Sequence, residues 1–177
     1  YHDSEDRIIA TTQRPKGIVG DIVKLEVVST TQHGAFLDWG LMKDLFLPKW
    51  QEVSFMRRAR FYIVKIYLDE QTGRVAATEK FESTLSNDPL TVKEKDLVEL
   101  LAYRRTDMGW VVIINNKHLG LLHNNEIFRD VKVGDQFEGF IKTILPENKI
   151  DVIAGKPGYD RVEGETERIL RLLDENN

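Results

Sequence analysis

His33 and Phe36 stand three residues apart in "TQHGAFLDW", and Arg74 closes a turn that Asp69 opens in "YLDEQTGRVAAT". Two flat rings and a cation can stack on planar groups and pair with anions. A nucleobase stacked on an aromatic face gains ~1–3 kcal/mol with little sequence demand, and a guanidinium can hold a phosphate or stack in its turn. The Asp69 carboxylate can orient Arg74 or accept a hydrogen bond from a sugar or a base. Two other roles compete: a place in the hydrophobic core for Phe36 and a solvated turn for His33.

A second set of the same residue types follows later in the chain. Trp110 comes after Met108 and Gly109, His123 ends "HLGLLH", and Lys149 stands where a closing hairpin places Arg74 in the first set. Trp110 can either stack from a neighbouring position or plug the end of a fold. Cations gather at Arg57, Arg58 and Arg60, at Arg104 and Arg105, and at Lys117 with His118. Basic loops beside a binding face can track a phosphate backbone, although a solvated surface is the commoner fate of any one cluster. Trp39 and Trp50 are either rim aromatics or packing residues.

Other chemistry finds little support. The chain has no cysteine, which excludes disulfides, thiolate metal sites and cysteine nucleophiles. Its four histidines show no H-E-x-x-H spacing, and no Gly-Lys-Ser/Thr follows a glycine-rich stretch. Acidic pairs such as Glu163 and Glu165 read as surface charge. The expectation is a protein that is no enzyme and needs neither metal nor cofactor. A formal charge of −4 argues against a globally basic surface and leaves a local basic face open. No apolar run approaches the roughly 18 residues of a membrane-spanning helix, and the expected compartment is the cytoplasm.

The elements that must position these residues come in two rounds of five short strands. The first runs from Ile22 or Val23 to Val28, then through Ala35–Leu37, Leu45–Leu47, Phe61–Leu68 and Val75–Thr78. The second runs through "DLVELLAYRR", "GWVVIIN", "HLGLLHN", "FEGFIKTIL" and "KIDVIAG". Both are rich in β-branched and aromatic residues and broken by glycine or polar turns. "FESTLSNDPLTVKEK" is turn-rich and reads as the connection. The fold class is therefore all-β: two tandem five-stranded barrels at residues 17–83 and 92–156, of the OB type, with an SH3-like barrel as the competitor. The opening "DSEDRIIATTQRP" parallels "DEQTGRVAATEKF". Residues 1–13 thus read as the closing hairpin of an earlier copy, and the expectation is a fragment of a longer repeat protein. "ERILRLLDE" carries a helical apolar stripe near the C-terminus.

The stretch "VGDIVKLEVVSTTQHGAFLDW" resembles the opening of an S-one domain, the OB-type RNA-binding repeat, through Gly20, Val23, His33, Gly34, Ala35, Phe36 and Leu37. Asp69 and Arg74 match that family's last hairpin, with one additional turn residue. Pro48 departs from it, standing where a histidine is common; in the second unit Gly120, Leu121, Leu122 and His123 fit that element, while no aromatic stands at the Phe36 position. The resemblance implies single-stranded RNA as the partner, with a second unit that binds more weakly or acts as a spacer.

Over nearly the whole chain, "YHDSEDR", "GAFLDWGLMKDLFLP" and "KIDVIAGKPGYDRVEGETERILRLLDEN" resemble the bacterial conserved virulence factor B family. That resemblance implies consecutive S-one domains, a winged helix beginning within residues 159–177, and a part in post-transcriptional regulation. A protein-interaction scaffold contacting the ribosome or transcription machinery is the alternative. The oligomeric expectation is a monomer, or a dimer made by an unpaired N-terminal hairpin.

Overall fold

In the computed structural model, residues 13–127 and 130–155 are described. The hairpin expected at residues 1–13 (all but Gln13) and the helix expected within 159–177 lie outside them. The chain divides into two units between Ser86 and Asn87.

The first unit is built from β1 (Ile22–Thr31), β2 (Gly34–Asp38), β3 (Leu45–Pro48), β4 (Phe61–Asp69) and β5 (Arg74–Thr78). They close into a barrel in the order β1-β2-β3-β5-β4, antiparallel except for the β3–β5 pair. This is the five-stranded Greek-key closure of an OB barrel, and it leaves no strand edge unpaired. Side chains alternate across each strand. Val23, Leu25 and Val27 of β1 point inward to meet Ala35, Leu37, Leu45, Leu47, Val64, Ile66 and Ala77.

A register shift between Val27 and Ser29 bends β1 against β2. The irregularity lies on β1, opposite the strand that carries Phe36. Gly34 has a separate task. Its φ is +149°, and a Cβ there would meet the Leu47 carbonyl oxygen at 2.1 Å, so only glycine lets β2 start this close to β3.

The second unit repeats the plan with β6 (Leu97–Thr106), β7 (Gly109–Ile114), β8 (His118–His123), β9 (Gln136–Leu145) and β10 (Lys149–Ala154), closed in the order β6-β7-β8-β10-β9. The repetition is detailed. β6 carries its register shift between Ala102 and Arg104, and Gly109 has a φ of +151° with the Leu122 carbonyl 2.0 Å from a would-be Cβ. Asn87 fastens the start of this unit: its side chain bonds the backbone of Leu119 in both directions at 2.9 Å and the Asn148 carbonyl at 2.9 Å.

Candidate nucleic-acid interface

Register fixes what the outer face of the first barrel presents. Ser29 pairs with Phe36, Phe36 with Phe46, Phe46 with Ala76, and Ala76 with Tyr67. One row across five strands thus holds three aromatic residues. Phe36, Phe46 and Tyr67 are each half-buried, and none belongs to the interior cluster. The Phe36 and Phe46 rings lie 5.1 Å apart with planes tilted by 40°. The competing role of Phe36 as a core residue is therefore not the one it takes: Ala35 and Leu37 fill the core on either side of it.

Phe46 and Tyr67 were not singled out in the sequence. "LFLP" reads as a continuous apolar run, yet with Leu45 and Leu47 inward, Phe46 must point outward. The Tyr67 hydroxyl is enclosed and has no hydrogen-bond partner. Burial first, and then the Asp69 charge, raise its pKa; the nearby Gln51 side chain offsets this in part without forming a bond of good geometry. Gln51 is engaged elsewhere, its Oε1 accepting from the Thr78 hydroxyl at 2.6 Å.

The two ends of the aromatic row differ in charge. Two residues to one side stand Asp38 on β2, Asp44 just before β3, Arg74 on β5 and Asp69 on β4, with Asp69 and Arg74 in register. Arg74 is exposed and makes no ion pair with Asp69. Asp38 is held below the usual carboxylate range by the Gly40 N–H and by Lys16, whose Nζ is 3.2 Å away. Asp44 is pushed up by burial and by the Asp38 charge.

His33 lies at the opposite end, exposed in the β1–β2 turn, where its carbonyl accepts from the Lys49 N–H at 2.8 Å. Arg57, Arg58 and Arg60 are exposed in the β3–β4 loop, at this same end of the barrel. Strand direction thus puts the β1–β2 turn and the β3–β4 loop at one end of the barrel and Arg74 at the other, with Ala59 and Arg60 bonded to the backbone of Val27. The parallel β3–β5 pairing puts His33 and Arg74 on opposite sides of the rings.

The equivalent row in the second barrel is Arg104, Val111, Leu121, Asp151 and Thr143. It contains no ring. Trp110 takes the inward position that Ala35 has in the first barrel; it is only 6% exposed and packs with Val112, Ile114 and Leu122. Of the two roles the sequence left open for it, Trp110 takes the packing one, with Arg105 5.7 Å from its ring centroid. His123 is half-buried, with Nε2 3.1 Å from Asp151 Oδ1, while Lys149 is exposed at the start of β10. His118 is no part of a basic surface: it is 1% exposed, and its Nε2 lies 2.7 Å from the Thr91 hydroxyl.

Comparison with known proteins finds a likeness of shape alone. No protein-family model matches the chain, and no curated protein does. A crystal structure from Streptococcus pneumoniae, described as a multidomain protein with nucleic acid binding domains, is similar at 16% identity and a TM-score of 0.45. The match covers 99% of this chain and 65% of that one, so the chain spans just under two-thirds of that protein's length.

Proposed function

We propose that the first barrel is a non-enzymatic single-stranded RNA-binding module, with the Phe36–Phe46 pair as its stacking surface. The observation that carries this reading is the pair itself: two half-exposed rings in register on β2 and β3, outside the core, on the face flanked by the β1–β2 and β4–β5 turns. In an OB barrel that face and those turns are where oligonucleotides lie. Two bases stack on the rings. His33 extends the face at one end, while Arg74 and Asp69 offer hydrogen bonds to a base or sugar at the other. Because Asp38, Asp44 and Asp69 surround Arg74, the guanidinium serves a base edge better than a phosphate, and the backbone runs along the His33 end.

RNA rather than DNA comes from the resemblance to S-one domains, a role in bacterial post-transcriptional regulation from the resemblance to the conserved virulence factor B family, and the cytoplasm from the absence of cysteine. The second barrel, without rings in the matching row, acts as a spacer or a weak second site through His123 and Lys149.

Anisotropy of labelled oligo-uridine and oligo-deoxyuridine, titrated across salt concentrations, tests the proposal. Affinity should fall with salt at a log–log slope of about 0.7 for each phosphate neutralised, drop for Phe36→Ala/Arg74→Ala, and be weaker for the deoxy strand. Absence of binding at low salt would replace the RNA reading with that of a protein-interaction scaffold.

A further inference from the structure

The β3–β4 loop carries large apolar side chains that the barrel core does not use. Trp50 is 65% exposed, Val53 71% and Phe55 75%. Single exposed apolar residues are ordinary, but a cluster of them at one site marks an interaction surface. This loop is also held in place. The Val53 and Ser54 N–H groups both donate to Glu79 Oε2, at 2.5 and 2.7 Å. The Tyr62 hydroxyl accepts from the Arg57 N–H at 2.9 Å and donates to the Phe55 carbonyl at 3.2 Å. Met56 is buried in the core, so Phe55 and Arg57 project outward on either side of an anchored residue.

The charges around the rings narrow the choice of partner. Lys49 Nζ lies 5.6 Å and Arg57 Cζ 5.8 Å from the Phe55 ring centroid. Residues 49–60 hold four cations against a single carboxylate, Glu52, which Lys49 already binds at 2.8 Å, in a chain whose formal charge is −4. An exposed ring with two cations within 6 Å of its centroid matches one nucleotide, whose base offers a planar face and whose phosphate offers the anion. An apolar protein surface would be served by the rings and would leave the cations without a purpose.

We propose that this loop is a second nucleotide station, and that an RNA strand leaving the Phe36–Phe46 surface at its His33 end continues over Phe55 and Trp50. The inference rests on the reading of the barrel face as an RNA-stacking surface. Lys49 follows Phe46 by three residues, roughly 10 Å along an extended chain, and its N–H is bonded to the His33 carbonyl, so the station adjoins the face. The opposite exit, lined by Asp38, Asp44 and Asp69, repels a phosphate backbone.

Oligo-uridines of about 4 and about 12 nucleotides, both within the range that one OB barrel occupies, separate the two sites. Trp50→Ala/Phe55→Ala should lower affinity for the longer strand about tenfold, leave the shorter within about twofold, and melt as wild type does because both side chains are exposed. Phe55→Leu, which keeps apolar bulk and removes the π face, should weaken the longer strand too. Phe36→Ala should weaken both lengths. Loop variants that bind both lengths as wild type does, or lose both lengths equally, overturn the second station; in the first case a loss with Phe36→Ala leaves the barrel-face reading intact. Wild type that binds neither length removes the barrel-face reading, and the station with it.

Discussion

Phe36 and Phe46 face one another across the β2–β3 ladder, their centroids 5.1 Å apart and their planes tilted by 40°, while the residues flanking each of them on its own strand point into the barrel. The arrangement gives each ring an outer edge and one partner, so removing either ring exposes the other. Phe36→Ala or Phe46→Ala should each weaken oligo-uridine binding about tenfold, from the ~1–3 kcal/mol of a stacked base. The double variant should lose less than the product of the two, because the rings share one ligand. A double-mutant cycle by anisotropy measures this; strict additivity would mean the two rings act as separate sites.

Gly34 and Gly109 make the same prediction in the two barrels. Both have φ near +150°, and at both a Cβ would collide with a carbonyl oxygen of the neighbouring strand, Leu47 or Leu122. Alanine must therefore distort the ladder as well as the dihedral, at a cost of about 3 kcal/mol at either site. Chemical denaturation of each variant provides the check. Gly34→Ala should also weaken RNA binding, since β2 carries Phe36, whereas Gly109→Ala should spare it.

Trp110 separates packing from binding. Its ring fills the second barrel at the position Ala35 holds in the first, and Trp110→Ala should cost about 3–5 kcal/mol of that unit's stability with little change in affinity at a temperature where the unit stays folded. A loss of affinity without a loss of stability would return Trp110 to the binding surface.

How much of this was legible in the sequence depended on how locally each feature is encoded. The strands were, because β-branched runs such as "FYIVKIYL" lie between glycine and polar turns, and all ten strands stand where those runs do. Phe36 was singled out by its place beside His33 and by the S-one resemblance, with a core role left open. Phe46 was not: three apolar residues in a row give no direction until Leu45 and Leu47 are known to face the core. Tyr67 sits in the same kind of run, and its place in the aromatic row depends on the pairing of β5 with both β3 and β4. The parallel β3–β5 pairing also parted His33 from Arg74, and no local pattern reveals a pairing between strands so distant in sequence. Trp110 differs from Phe36 by a single register position, and a shift of one residue reverses the face.

Asp44 links the charge of the face to pH. Partial burial and the neighbouring Asp38 charge raise its pKa above the usual 3.8. A carboxyl with a raised folded-state pKa holds its proton more tightly folded than unfolded, so ionising it works against the fold. The penalty is complete at neutral pH, where Asp44 is charged in both states, and it fades as pH falls through the raised value. Below 3.8 the carboxyl is protonated in both states and the penalty is gone. Asp44→Asn should therefore melt above wild type at pH 7, with the gap closing as pH approaches 4. Asp38 runs the other way: the Gly40 N–H and Lys16 lower its pKa, so Asp38→Asn should destabilise at neutral pH and approach wild type in acid. Asp44 also lies in the acidic row beside the rings, and removing its charge should raise affinity for oligo-uridine at low salt while leaving affinity at high salt unchanged. Melting curves across pH and anisotropy at two salt concentrations check both halves. A neutral-pH melting point for Asp44→Asn at or below that of wild type would mean that the carboxylate is stabilised by a contact its burial does not reveal.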